Sequence, residues 1–245
     1  RGSGFNKDNI NAKINSDLNK WLKLDFNGRM SYQKVKGLGS GADTNESNAA
    51  NSIVANSVRF RPINPLTDSD DDESSTNKQY NPLERLDATY KIKTTFNQSY
   101  NAGLSWTPIK GLTARTEFGY GWKNTDTDQV WEAPATQNSS LGYSGQPQAV
   151  ITRVDNKNWR NANTITYDAN NLFGGRDRMN IMIGHEVTSS KDKTYVNTTV
   201  AFPGSMTIKE ILANMGAGTA LANRSTLSAE ENMLSFFGRA NYTLM

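Results

Sequence analysis

The chain has 245 residues, of which 36% are hydrophobic, and 27 basic residues against 24 acidic ones leave a net charge of +3. That balance is too small for a nucleic-acid surface, and no basic stripe with interleaved aromatics is present. The absence of cysteine and the single histidine, His185, exclude disulfides, Cys-ligated zinc and His-rich metal sites, and leave one residue to serve any Ser-His-Asp triad.

In chain order, the first apolar alternation is Ile10, Ala12 and Ile14, set against Asn11, Lys13 and Asn15. A turn is predicted over 17–20. A second strand follows over 21–33, where Leu22, Leu24, Phe26, Gly28, Met30 and Tyr32 alternate with Lys23, Asp25, Asn27, Arg29, Ser31 and Gln33. Only a period of two sorts these residues into two faces. A third strand runs from Ile92 to Trp106, and 107–111, with a Pro and a Gly, reads as its turn. The fourth begins at Leu112, with Ala114, Thr116, Phe118, Tyr120 and Trp122 on one face and Arg115, Glu117, two glycines and Lys123 on the other. The fifth is placed over 159–167 and is the least regular. A turn over 170–175 leads to the sixth, over 179–187. The seventh starts at Ser235.

Short turns join strands one and two, three and four, and five and six. The alternate connections are long: about 50, 30 and 45 residues on this reading. Structureless loops beyond about 15 residues are uncommon in compact soluble domains. A transmembrane barrel has this alternation of short turns and long outer loops, and strands polar on one side and apolar on the other. No run reaches the 18 apolar residues of a membrane helix. Short helices are predicted in the long connections over 48–57 and 208–215. The expected fold is therefore all-β: about seven antiparallel, up-and-down strands of a larger transmembrane barrel, with long extracellular loops. Residues 1–245 are read as one partial barrel domain, cut at both ends.

Several segments carry a family resemblance: INAKINSDLNKWLKLDFNGRMSY, RFRPINPL, NPLERLDATYK, NAGLSWTPIKGLTARTEFGY, NNLFGGRDRMNIMIGHE and SFFGRANYTLM. In order and spacing they resemble the SusC/RagA group of TonB-dependent outer-membrane transporters of Bacteroidetes. The resemblance implies a 22-stranded barrel with a plug, a SusD-like surface lipoprotein at its mouth, and coupling to the TonB complex through an N-terminal box. Plug and box are expected outside these residues. It also implies uptake of a glycan or a peptide, with no covalent chemistry and no enzyme activity.

Candidate sites follow from the patterning. Arg29, Arg115, Glu117 and Lys123 share the polar face and are expected to line the lumen. Trp131 and Tyr143, aromatics in a long connection, are candidates for contact with substrate or lipoprotein. Asp68, Asp70 and Asp72 could offer alternating oxygen ligands to calcium, although the run lacks the glycine and final Glu of an EF-hand loop; no other cofactor is expected. Trp21, Trp106, Trp122 and Trp159 are expected near strand ends, as interfacial aromatics. His185 is expected on the lipid face near the outer end of its strand. The rival readings are a soluble or surface-attached β-rich binding module, which would stack its apolar faces as two sheets, and a passive porin or autotransporter barrel.

Overall fold

The structure, a computed structural model, describes residues 3–37, 82–136, 142–170 and 177–243. The predicted helix over 48–57 and the turn residues 171–175 lie outside them. The described residues form one antiparallel sheet. Its strands are β1 (Gly4–Asn19), β2 (Leu22–Lys36), β3 (Thr89–Ile109), β4 (Leu112–Trp131), β5 (Gln148–Asn170), β6 (Arg178–Val200), β7 (Thr219–Leu227) and β8 (Glu231–Thr243). They pair in chain order from β1 to β7, and β8 also pairs with β6. A soluble sandwich needs a second sheet over the apolar face. No such sheet is present among the described residues, and Phe118, Ile183 and Phe236 stand 50%, 58% and 77% exposed.

The wall has the predicted seven positions, but the seventh is filled by two strands in line. The 23 residues of β6 face β7 over Lys193–Val200 and β8 over Arg178–Ser190. Between them, residues 228–230 stand opposite only Lys191 and Asp192, which is one residue too many for the ladder. Ser228 closes this bulge. Its N–H and hydroxyl both donate to the Asp192 carbonyl, at 2.9 and 3.1 Å, and its Oγ accepts from the Asp192 N–H at 2.7 Å. The seventh strand therefore begins at Thr219, not Ser235, and the bulge conceals its continuity from a search for simple alternation.

The strands are longer than the periodicity indicates: β4 has 20 residues and β5 has 23. The outer part of β4 is polar on both faces at Asn124–Asp128, and that of β5 mixes polar and apolar residues on each face, as at Val150 and Ile151, so neither leaves a clean alternation to read. Continued pairing holds them as strands. The connections shrink accordingly, to 132–147 between β4 and β5 and 201–218 between β6 and β7. Residues 82–87, which carry no helical pattern, form a short helix, α1 (Pro82–Asp87).

The turns are tighter than predicted. Ile109 pairs with Leu112, so only Lys110 and Gly111 remain in the hairpin, and Asn19 pairs with Leu22 around Lys20 and Trp21. Gly111 adopts φ 88°, a left-handed conformation that only glycine takes without strain. A Cβ there would also collide with the Asp168 carbonyl oxygen on β5. Gly111→Ala is expected to destabilise the hairpin by about 1–3 kcal/mol, and denaturant unfolding of the intact protein would measure it.

The apolar face forms a band whose outer limit crosses the strands obliquely. The limit runs through Tyr32 on β2, Phe96 on β3, Trp122 on β4, Trp159 on β5, Val187 on β6 and Leu234 on β8, beyond which this face turns mainly polar, with Ile92, Ile151 and Tyr195 as exceptions before the packed strand ends. Tyr32 and Phe96 are partners, but Phe96 faces Asn124, two residues beyond Trp122. Trp122 faces Lys157, two beyond Trp159, and Trp159 faces Ser189, two beyond Val187. Val187 faces Leu234. The limit thus drops about six residues over five strand-to-strand steps. At about 3.4 Å per residue and about 4.8 Å between strands, the strands lean about 40° from the normal to that limit. This is the tilt of strands in a transmembrane barrel.

Beyond the band, the connection 201–218 folds against the outer strand ends. Val130, Ala149, Phe202 and Ile211 are buried there, with Tyr90, Met206, Ile208 and Leu212 packed around them. Helix α2 (Ile208–Ala213), within the predicted 208–215, supplies Ile211. Thr207 and Glu210 form a reciprocal cap at its start: the Thr207 N–H and hydroxyl each donate to Glu210 Oε2 at 2.8 Å, and the Glu210 N–H donates to Thr207 Oγ1 at 3.4 Å. These bonds hold the Glu210 carboxyl below its ordinary range. A depressed folded-state pKa stabilises fully above the unfolded value of about 4.3, and the contribution is lost as pH falls through the folded value. The protection of the Ile211 amide against exchange, relative to its intrinsic rate at each pH, is expected to fall below about pH 4 in the native protein and to be insensitive to that acidification in Glu210→Gln.

Candidate functional site

The polar face carries a ladder of charges across the middle strands. Each member owes its place to register. Arg115 stands opposite Ser105 and Thr164, and Glu117 stands opposite Gly103 and Ala162. Asp25 faces Gly103 from β2, and Glu186 faces Ala162 from β6. Directly opposed residues share a face, so Asp25, Glu117 and Glu186 lie in one row. Arg115 and Arg160 flank that row, two residues before Glu117 and two before Ala162.

The bonds run without interruption. Arg115 Nη1 and Nη2 donate to Asp25 Oδ1 and Oδ2 at 2.7 and 3.0 Å, while Nε donates to Glu117 Oε1 at 2.7 Å. Nη1 also donates to Ser105 Oγ at 2.7 Å. Arg160 then joins Glu117 Oε2 at 3.5 Å to Glu186 Oε2 at 2.7 Å. Two arginines and three carboxylates thereby connect β2, β4, β5 and β6. A guanidinium suits this work because its planar fork meets carboxylate edges two atoms at a time. The side chains are only partly buried, so each pair contributes on the order of 0.2–1 kcal/mol.

Gly103 makes room for the Asp25–Arg115 fork. A Cβ there would lie 2.6 Å from Arg115 Nη2 and from Asp25 Oδ2. Gly121 likewise makes room for the Asn158 amide, at 2.5 Å. The alternation placed Gly121 on the polar face, and register adds Gly103 to it; the groups both accommodate come from neighbouring strands. On the other face, Gly28 lies beneath the stacked rings of Phe26 and Tyr100, whose centroids are 6.5 Å apart. Glycine in a strand is weakened by its missing side chain, and covering rings offset this.

The structure brings two of the four predicted polar-face residues together. Arg115 and Glu117 are central to the ladder. Arg29 shares their face but donates instead to Asn11 Oδ1 at 3.1 Å. Lys123 also shares it and is exposed, outside the ladder. Asp25, Arg160 and Glu186 escape a reading of single strands because only register joins them.

Trp131 needs a correction. It is not in a loop: it is the last residue of β4, opposite Thr89 and Gln148. Tyr143 does lie in the connection, exposed, with φ 53°. The two are linked through the buried Gln148, whose amide donates to the Gly142 and Tyr143 carbonyls at 2.7 and 3.3 Å. Asp68, Asp70 and Asp72 lie outside the described residues. No cluster able to hold a metal ion occurs among the described ones.

Trp122 and Trp159 are not near strand ends, because β4 and β5 continue well past them; they mark the outer limit of the apolar band. His185 is similarly mid-strand in β6. It shares the apolar face with Phe236, the ring centroids 6.2 Å apart, and its Nε2 lies 3.3 Å from Asn163 Nδ2. With no second histidine and no nucleophile beside it, this is a packed position.

Comparison with known proteins agrees with this geometry. No family model matches the chain. A TonB-dependent receptor, P39, from Formosa agariphila is 27% identical over 179 residues, covering 71% of this chain and 16% of the relative. The RagAB peptide importer in its open-open state superposes with a TM-score of 0.74 at 19% identity, over 99% of this chain and 26% of that one. A second RagAB peptide transporter structure gives 0.73 at 19% identity, with the same coverage. The chain thus spans about a sixth of its curated relative and about a quarter of the solved chains. The alternating faces, the tilt of the band and the superposition agree on the fold of a transmembrane barrel segment like that of the RagAB importer, and in sequence the chain is similar to a TonB-dependent receptor.

Proposed function

We propose that this chain forms part of the wall and outer rim of an energy-coupled outer-membrane importer for a large solute, an oligosaccharide or a peptide. The observation that carries this reading is the tilted apolar band on one face, set against a charged ladder on the other. The band meets lipid. The ladder, with Arg29 and Lys123, faces the lumen, where it touches a plug or borders the solute path. A SusD-like lipoprotein caps the mouth, and the TonB complex drives release. No bond is made or broken in the solute.

The outer rim, not the wall, selects the solute on this reading. Trp131 and Tyr143 lie at the end of β4 and in the next connection, on the side of the long loops. An aromatic ring packs against the C–H face of a sugar or against an apolar peptide side chain. Trp131→Ala and Tyr143→Ala are each expected to weaken solute binding about threefold to tenfold, from about 0.5–1.5 kcal/mol of lost ring contact, with surface abundance unchanged. Calcium held by Asp68, Asp70 and Asp72 would add a dependence on chelators.

The test is purification of the intact receptor from detergent-extracted outer membranes. Co-purification of a surface lipoprotein and uptake of a labelled oligosaccharide or peptide support the reading. Recovery from the soluble fraction alone would overturn it in favour of a β-rich binding module.

A further inference from the structure

We infer that Lys157, Lys191 and Lys193 form a binding site for the phosphate of an anionic lipid headgroup, on the outward face just past the apolar band. This rests on the membrane reading above. Lys157 and Lys191 are direct partners across β5 and β6, so their side chains leave the same face side by side. Like charges directly opposite destabilise a sheet unless something anionic lies between them. Lys193 stands two residues farther along the same face, opposite Asp155.

The protein supplies too little negative charge there. Asp155 accepts from Trp122 Nε1 at 2.8 Å and lies 3.6 Å from Lys157 Nζ. Lys193 sits over the Tyr195 ring at 4.7 Å, which leaves its charge in place. Of the other carboxylates on this face, Asp126 and Asp128 are engaged by Arg153 at 3.4 and 2.7 Å, and Glu230 accepts from Ser189 Oγ at 2.8 Å. Asp192 projects to the opposite face, where it accepts from Asn156 Nδ2 at 2.7 Å. Of the three ammonium groups only that of Lys157 has an ion pair among the described residues, and Lys191 is exposed with no side-chain hydrogen bond or ion pair there.

Depth selects the ligand. The band ends at Trp159 on β5 and Val187 on β6, and Lys157 and Lys191 follow within a few residues. That is the height of the headgroups if the band spans the hydrocarbon. A phosphate there accepts charge-assisted bonds from ammonium groups, and its acyl chains lie along the apolar band. The Trp122 ring, 5.6 Å from Lys157 Nζ, borders the same place. Free phosphate could use the ammonium groups but not the band.

The experiment is native mass spectrometry of the intact receptor, delipidated in detergent and offered phosphatidic acid or phosphatidylcholine with identical chains. Native receptor should retain phosphatidic acid preferentially. Lys157→Gln/Lys191→Gln should weaken that retention about tenfold or more, Lys191→Gln alone by less, and Lys209→Gln, in α2, not at all. The heat-modifiable gel shift of each variant reports its folding. Equal retention of both lipids, or unchanged retention in the folded double variant, would overturn the inference. So would displacement of the lipid by inorganic phosphate at similar concentration, which would assign the site to the free ion. Failure to recover the receptor from membranes would instead defeat the membrane reading itself.

Discussion

Arg at position 118 in place of Phe is expected to destabilise the receptor barrel by about 2–4 kcal/mol, the cost of a cation near the middle of the lipid face. Phe118 stands in the run from Leu112 to Trp122 on the apolar face of β4 and is 50% exposed. At about 3.4 Å per residue and a lean of about 40°, that run covers about 26 Å along the membrane normal. This matches the apolar belt of an outer-membrane barrel, and Phe118 falls close to its centre. The same substitution at Asn158, opposite Gly121 on the polar face, should cost no more than about 0.5 kcal/mol. Reversible unfolding of the intact receptor from lipid vesicles measures both. Equal costs at the two positions would show that the faces have been assigned the wrong way round.

Removal of Arg115 should be felt on three strands at once. Arg115→Ala leaves Asp25 and Glu117 without their main partner and Ser105 without its donor. The expected loss is about 1–3 kcal/mol, below the 3–5 kcal/mol of a fully buried pair because water reaches these groups. Arg115→Lys should restore only part of it, since an ammonium cannot grip Asp25 with two parallel bonds. A double-mutant cycle with Asp25→Asn isolates the pair, and a coupling of about 1 kcal/mol is expected. Zero coupling would reduce the ladder to unrelated surface charges.

The ladder also bears on the shape of the wall. It ties β2 to β4 and, through Arg160, to β5 and β6. These cross-links tie the polar face of the wall together from side chain to side chain. Its weakness per bond is compatible with this, because the backbone pairing of the strands supplies most of the rigidity.

The amino-acid sequence by itself determined the strand type, the two faces and the short-turn, long-loop alternation. A period of two is visible wherever one face is apolar, as at Leu22–Tyr32 and Leu112–Trp122, and a register slip would exchange the faces. It also put Arg115 and Glu117 on the polar face, since that assignment needs only their own strand. Tertiary structure decided the rest. The outer halves of β4, β5 and β6 carry no clean alternation of polar and apolar faces, so pairing, not pattern, makes them strands. The bulge at residues 228–230 breaks the alternation that would have joined β7 to β8. Asp25, Arg160 and Glu186 meet Arg115 and Glu117 only through register between strands far apart in the chain, and Trp131 leaves its apparent loop because Gln148 and Thr89 pair with it. A side chain's face is a local property of its strand, but its partners are set by how strands align, and that alignment exists only in the folded sheet.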